Sequence, residues 1–122
     1  MPQTRVVLYL EDERNVPLLK WLVRLPDKAQ AKVLVRIERL KELGSQLRRP
    51  EADYLRDGIY ELRVSLQGIH YRVLYFFSGR TAAVLSHGLV KERNVPPREI
   101  ELAIRRKSRF EADPEAHTYS EA

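Results

Sequence analysis

The stretch that most restricts the fold of this chain is residues 60–77, YELRVSLQGIHYRVLYFF. Apolar and polar side chains alternate along it on both sides of the dipeptide Gln67-Gly68, which predicts two strands joined by a tight turn, with one face buried. Counting outward from that turn places Arg63 directly opposite Arg72. A shift of one residue would exchange the two faces, so the alternation also fixes the register.

The two faces of the predicted hairpin differ in chemistry. One is largely apolar and is expected to pack under helices: Tyr60, Leu62, Val64, Leu66, Tyr71, Val73 and Tyr75. The other carries Glu61, Arg63, Ser65, His70 and Arg72, with Leu74 and Phe76 toward one end. Like charges directly opposite each other destabilise a sheet, so the arginine pair requires an explanation.

Two explanations of the arginine pair remain open. Glu61 lies next but one to Arg63 on the same face, so it can bridge both guanidinium groups. Alternatively, Arg63 and Arg72 form a phosphate site, because fixed guanidinium groups bind phosphate bidentately and stabilise charge that develops on it.

The remaining pattern predicts an α+β fold in one domain, residues 1–110. A strand at 5–11 is followed by helices at 16–25 and 27–43, a connecting loop at 44–58, three antiparallel strands at 59–66, 69–77 and 81–89, and a helix at about 97–110. The two N-terminal helices are expected to pack on one face of the small antiparallel sheet. The acidic segment 111–122 is expected to be a disordered tail.

The chain is basic, and its charge is unevenly distributed. The net charge is +5, but the last twelve residues carry four acidic groups and no Lys or Arg, so residues 1–110 hold 22 basic and 13 acidic side chains. Such a surplus favours a polyanion or an acidic protein as partner, although it also serves solubility. Arginines of two predicted helices are candidates for RNA contact: Arg36, Arg39, Arg105 and Arg106. A solvated helix face, or positive charge placed at a helix C-terminus, is the alternative explanation.

The composition excludes several kinds of site. Without cysteine, the chain forms no disulfide, thiolate zinc site or cysteine nucleophile. No stretch reaches the roughly 18 apolar residues of a membrane span, and the first residues lack the layout of a signal peptide. We therefore expect a cytoplasmic protein that contacts no membrane and uses no metal or cofactor.

A histidine and further cations follow the hairpin. The third predicted strand ends with His87, and Lys91 and Arg93 come after it. Histidine is the commonest proton-transfer group near neutral pH, although a lone histidine is also common as a structural residue. A histidine with several fixed cations favours metal-free cleavage of RNA, in which the 2′-hydroxyl attacks the adjacent phosphate. DNA lacks that hydroxyl and would remain uncut.

Two stretches of the chain resemble the RelE/HigB toxin superfamily, specifically its phage-derived HigB-type branch: LRDGIYELRVSLQGIHYRVLYFF and VLSHGLVKERNVPPREIELAIRR. Members show Gly-hydrophobic-Tyr-Glu-Leu-Arg, then Tyr-Arg-hydrophobic-hydrophobic-Tyr, then a strand that ends in His-Gly-hydrophobic-x-Lys-Lys. A Pro and a helix containing Glu-Ile and Ala follow. The chain matches these blocks in order over roughly residues 5–106, with Lys91-Glu92 in place of Lys-Lys.

The resemblance implies a RelE-like fold and a ribosome-dependent mRNA interferase, the toxin of a type II toxin–antitoxin pair. It implies catalytic positions for Arg63, Arg72, His87 and Lys91, and an RNA-binding position for Arg93. The implied partners are a helix-turn-helix antitoxin of the HigA type, the ribosome and mRNA. Operator DNA would be bound only through the toxin–antitoxin complex.

Two other functions remain open for the same fold. One is inhibition of DNA gyrase, as in the related ParE branch, whose members tend to lack the catalytic basic residues. The other is antitoxin binding without any activity, as in a degenerate toxin. The acidic Glu92 and the absence of an evident general base favour this second alternative.

Overall fold

The strands and helices are those of a computed structural model, which describes residues 3–90 and 93–119. Within them the strands are β1 (Arg5–Leu8), β2 (Ala52–Arg56), β3 (Ile59–Leu66), β4 (Ile69–Ser78) and β5 (Ala82–Val90). The helices are α1 (Pro17–Leu22), α2 (Asp27–Leu43) and α3 (Pro97–Ala112), and short 3₁₀ turns cover Gly44–Gln46 and Glu115–His117.

The strands form one sheet in the order β1-β5-β4-β3-β2. β1 runs parallel to β5, and every other neighbouring pair is antiparallel. This arrangement confirms the predicted α+β class and is consistent with a RelE-like fold. In the described part of the chain, no helix is long and apolar enough to cross a membrane.

The β3–β4 hairpin has the predicted register. Arg63 lies opposite Arg72, and the strands pair continuously from the turn outward. Gln67 and Gly68 occupy the turn with φ values of 52° and 80°. Two successive positive φ values match the right-handed twist of the flanking strands, and glycine adopts such a value without a steric cost.

The predicted connecting loop at 44–58 is wrong in its second half, because residues 52–56 form strand β2. β2 pairs antiparallel with β3, so that Asp53 lies opposite Glu61, and Ala52 is fully buried. Charged residues hide the apolar alternation in this short segment. Asp57-Gly58, with both φ values positive, makes the turn into β3 and is a dipeptide typical of hairpins.

Helices cover the sheet on both sides. α1 and α2 pack on the apolar face of the hairpin, as predicted, and bury it in a cluster that contains Leu18, Val33, Leu40, Leu62, Val73 and Tyr75. α3 packs on the opposite face, where a second cluster contains Leu74, Phe76, Val84, Ile100 and Phe110. Because this second cluster covers only the apolar end of that face, the end around Arg63 and Arg72 opens into clefts.

The glycine of the His-Gly block makes room for α1. A Cβ atom built on Gly88 would overlap ring carbons of Trp21, including Cε3 and Cδ2. Trp21 is packed against the apolar core cluster of α1 and α2. Any side chain at position 88 would therefore have to displace the indole and shift α1 on β5.

The expectation of a disordered tail is wrong for residues 111–119. α3 extends to Ala112, and Thr118 forms an antiparallel bridge with Tyr9 at the end of β1. The His117 ring stacks on the Tyr9 ring at 5.1 Å, and His117 Nδ1 lies 2.8 Å from the carbonyl oxygen of Leu10. The sequence could not reveal this docking, since it depends on the distant β1. Residues 120–122 lie outside the described residues.

Candidate functional site

The candidate site is centred on the Arg63–Arg72 pair, in the middle of the β3–β4 hairpin. The Arg72 side chain is only 6% exposed, whereas that of Arg63 is 33% exposed. Two adjacent guanidinium groups at this depth carry concentrated positive charge. A carboxylate or phosphate is needed nearby to offset the cost of their repulsion and desolvation.

Glu61 supplies part of that negative charge. Its Oε1 lies 2.9 Å from Arg72 Nε, and its Oε2 lies 4.0 Å from Arg63 Nε, so the carboxylate contacts both arginines. The 2.9 Å contact joins two almost fully buried groups, so Arg72 Nε is already engaged by Glu61. Within the described residues, Arg63 Nε is buried without a hydrogen-bond partner. This nitrogen is thus a buried donor that remains available to an anion.

Glu61 is also a candidate proton acceptor. Burial raises the pKa of its carboxyl above the usual 4.5, an effect that outweighs the opposing influence of Arg72 and Arg63, and nearby Asp53 adds to the rise. A carboxylate with a raised pKa takes up a proton more readily near neutral pH than an ordinary glutamate does. The arginine pair therefore has a candidate general base beside it.

Two open clefts meet at the arginine pair. The first, called here the Arg93 cleft, has a volume of about 280 Å³ and is lined by Arg49, Asp53, Leu55, Arg56, Glu61, Arg63, Arg72, Arg93, Asn94, Val95 and Ile100. The second, called the His70 cleft, has a volume of about 340 Å³ and is lined by Arg36, Pro50, Glu51, Arg63, Ser65, His70 and Arg72. Arg63 and Arg72 line both clefts, so a ligand that binds the pair can extend in two directions.

The charge of the Arg93 cleft suits an anionic ligand. Five of its lining side chains are arginines and two are carboxylates. Asp53 already pairs with Arg49, their closest atoms being 2.7 Å apart, and Arg49 holds the pKa of that carboxyl below its usual range. The cleft keeps a surplus of positive charge that can attract a phosphate chain.

The structure closes off His87 from both clefts. The residue is 7% exposed, its Nδ1 lies 2.8 Å from Ser86 Oγ, and its Nε2 lies 2.9 Å from Glu99 Oε1. Burial lowers the pKa of His87, Arg106 adds to this effect, and Glu99 opposes it. With both ring nitrogens engaged beneath α3, His87 is placed to hold α3 on the sheet.

This placement predicts a pH-dependent contribution of His87 to stability. Because the unfolded imidazole titrates near its usual 6.5 and the folded one at a lower pH, the unfolded chain binds more protons below that value. The free energy of unfolding should therefore fall as the pH drops below about 6.5, and His87→Gln should weaken this fall. Urea unfolding of both proteins, compared between about pH 7.5 and 5.5, measures the difference. Equal slopes for the two proteins would contradict the prediction.

The remaining predicted RNA contacts fall into different surroundings. Arg93 lines the Arg93 cleft, and Arg36 lines the His70 cleft, where it lies 3.8 Å from Glu51. Arg39 donates two hydrogen bonds to the Glu51 carboxylate, with lengths of 2.9 and 3.0 Å. Arg105 is exposed on α3 and lines neither cleft. The predicted catalytic residue Lys91 lies outside the described residues.

Arg106 is not on a surface that RNA could reach. It is 8% exposed, its Nε lies 2.9 Å from Glu11 Oε1, and its Nη1 donates to Ser86 Oγ at 3.3 Å. Its guanidinium also lies over the Tyr9 ring, 5.5 Å from the centroid. As an RNA contact, Arg106 is therefore a wrong prediction, because these partners tie α3 to the end of β1.

Sequence reasoning missed several residues that the structure brings to the clefts. Arg49, Arg56 and Asn94 line the Arg93 cleft. His70, which the sequence placed on this face without assigning it a role, lines the other cleft. The Asp57-Gly58 dipeptide was the available signal for β2, which carries Arg56 to the site. Among the described residues, no group of three or more His, Asp or Glu side chains is arranged to hold a metal ion.

Comparison with known protein families shows a match over most of the chain. The family model described as "Phage derived protein Gp49-like (DUF891)" matches residues 20–108, which include Arg63, Arg72, His87 and Arg93. That family is associated with RelE/toxin-like proteins. No curated protein matches the chain.

Proposed function

Because this chain belongs to the family of phage-derived Gp49-like proteins, we propose that it is the toxin of a type II toxin–antitoxin pair and cleaves mRNA on the ribosome. Family membership supports a toxin-like protein. The proposal of RNA cleavage rests on one further observation: Arg63, Arg72 and Glu61 adjoin one another where two open clefts meet. The proposed assignment to the HigB-type branch rests on the ordered sequence blocks over roughly residues 5–106.

The residues of the site suit attack by the RNA's own 2′-hydroxyl. Glu61, with its raised pKa, accepts the proton of the hydroxyl as the oxygen attacks phosphorus. Arg63 and Arg72 bind the non-bridging phosphate oxygens and stabilise the negative charge that grows on them. The reaction leaves a 2′,3′-cyclic phosphate on one fragment and a 5′-hydroxyl on the other.

The openness of the clefts supports the proposed dependence on the ribosome. The pair is reached from two sides, and the Arg93 side chain is exposed, so the protein alone encloses an RNA strand weakly. Catalysis requires the 2′-oxygen, phosphorus and leaving oxygen to be held in line. In the proposed function, mRNA held in the decoding site of the ribosome supplies this alignment.

The proposed antitoxin is a helix-turn-helix protein of the HigA type. An acidic segment of such a partner could fill the Arg93 cleft by electrostatic complementarity, since that cleft carries surplus positive charge. The complex of the two proteins, rather than the toxin alone, would then bind operator DNA.

The test uses the purified full chain in a translating extract. We expect cuts in a reporter mRNA at positions covered by ribosomes, mapped by primer extension, and no cuts when initiation is blocked. An mRNA with a single 2′-deoxynucleotide 5′ to the mapped phosphate should remain intact at that site only. Intact mRNA throughout would contradict cleavage and favour antitoxin binding without activity. The contact of Glu61 with both arginines also fits this alternative, because the carboxylate then serves only to balance their charge. A supercoiling assay with gyrase would test the other alternative.

A further inference from the structure

We propose that His70 donates the proton to the leaving 5′-oxygen, and that the RNA strand crosses the sheet face in a defined direction. In this assignment the nucleotide upstream of the cut lies in the Arg93 cleft, and the downstream nucleotide lies in the His70 cleft. The inference rests on the proposed RNA cleavage and adds to it the proton donor and the polarity of the bound strand.

The strand register places His70 across the arginine pair from Glu61. Successive cross-strand pairs on this face are Glu61–Leu74, Arg63–Arg72 and Ser65–His70. Residues two apart along a strand are about 7 Å apart, so the arginine pair occupies the middle row. A phosphate bound to the two guanidinium groups has a carboxylate on one side and an imidazole on the other.

This order of groups is the one that an in-line displacement needs. The attacking and leaving oxygens lie on opposite sides of phosphorus in such a reaction. The proton acceptor therefore has to stand on one side of the phosphate and the proton donor on the other. Glu61 and His70 meet that condition from rows on either side of Arg63 and Arg72.

The surroundings of His70 leave one ring nitrogen to a substrate. Its Nδ1 lies 2.8 Å from Ser65 Oγ, which orients the ring. Among residues 3–90 and 93–119, no group hydrogen-bonds the opposite nitrogen, Nε2, which can therefore face the leaving oxygen. His70 is half-buried and lines the His70 cleft together with the arginine pair. His87, in contrast, has both nitrogens engaged and lines neither cleft.

The proposed step conserves atoms and charge. The bond from the 2′-oxygen to phosphorus forms, and the bond from phosphorus to the 5′-oxygen breaks with its electron pair on that oxygen. The 2′-hydroxyl proton passes to the Glu61 carboxylate, and the proton of the His70 imidazolium passes to the 5′-oxygen. The products are a 2′,3′-cyclic phosphate, a 5′-hydroxyl, neutral Glu61 and neutral His70.

The strand direction follows from these two roles. The nucleotide that provides the 2′-hydroxyl must lie next to Glu61, which lines only the Arg93 cleft of the two. The nucleotide that leaves with its 5′-oxygen must lie next to His70. Arg93 and Arg56 therefore face the upstream part of the strand, and Arg36 faces the downstream part.

The test compares two leaving groups in one mRNA site. In the first substrate the scissile phosphate is natural, and in the second a sulfur atom replaces the bridging 5′-oxygen. A thiolate leaves without being protonated, so it needs no acid. We expect the His70→Gln substitution to slow cleavage of the natural substrate about 10²–10⁴-fold. The same variant should cleave the sulfur substrate at a rate within a few-fold of that of the unmodified protein. Arg63→Ala should remain slow on both substrates, because phosphate binding is lost in either case.

The outcomes separate this inference from the proposed function. If the unmodified protein cleaves the natural substrate and His70→Gln cleaves it equally fast, the inference is overturned while RNA cleavage stands. If His70→Gln is slow on both substrates, His70 does not act as the acid, and the inference is again overturned. If the unmodified protein cleaves neither substrate on ribosomes, the proposed function fails, and the inference fails with it. Rescue by sulfur also shows that the His70→Gln protein is folded.

Discussion

Replacement of Arg72 by alanine is expected to lower the free energy of unfolding by about 3–5 kcal/mol. Arg72 and Glu61 are both almost fully buried, with side-chain exposures of 6% and 9%. Without Arg72, the buried Glu61 carboxylate loses its closest countercharge, while Arg63 at 4.0 Å compensates for it only in part. Denaturant unfolding of the variant and the unmodified protein measures the difference.

A matched double variant tests whether the Arg72–Glu61 pair is needed for stability or for mRNA cleavage. Burial raises the pKa of Glu61 despite two neighbouring arginines, so the desolvation of this ion pair is costly. Glu61→Leu combined with Arg72→Met should therefore unfold with a free energy equal to that of the unmodified protein or about 1–4 kcal/mol higher. The same double variant should cut no mRNA. A double variant as unstable as Arg72→Ala alone would mean that the pair is needed for the fold itself.

Replacement of Arg63 by alanine is expected to slow mRNA cleavage about 10²–10³-fold, the usual cost of removing one group that stabilises transition-state charge. The stability should change by less than about 1 kcal/mol, because the side chain is one-third exposed and its contact with Glu61 is long. Initial cutting rates in the translating extract and a denaturant titration measure the two quantities separately.

Two further variants control the Arg63 result. Arg63→Lys keeps the charge but lacks the planar fork of guanidinium, so it should restore cleavage only in part. Arg80→Ala removes an exposed arginine from the turn between β4 and β5, outside both clefts, and should cut like the unmodified protein. Cleavage by Arg63→Ala at the unmodified rate would rule out the arginine pair as the phosphate site.

Much of the fold could be predicted because its signals are local. The alternation of residues 60–77 and the turn at Gln67-Gly68 fix the register, and the Arg63–Arg72 pair follows from counting. Helix α2 ends at Leu43, the predicted bound, because the next residue is Gly44, whose φ is +53°. Strand β2 was missed because only Ala52 among its five residues is fully buried, and its pairing depends on β3.

The candidate site could be predicted only in part. The first explanation of the arginine pair is confirmed, since Glu61 contacts both guanidinium groups. The second explanation, a phosphate site, stays a prediction, and the open clefts that reach the pair are compatible with it. That same glutamate is the candidate for the general base that the sequence analysis did not find. Its raised pKa arises chiefly from burial, and burial is a property of the packed chain rather than of a motif.

The sequence by itself determined which residues share the polar face of the hairpin, because side-chain direction in a strand follows a period of two. It therefore placed Glu61, Arg63, His70 and Arg72 together. Only the tertiary structure decided which histidine lines an open cleft, namely His70. His87 lies opposite Leu74 and so shares this face, but α3 packs over that end and Glu99 engages the ring. The position of a covering helix depends on contacts between distant segments, and no local pattern encodes which end of a face such a helix leaves open.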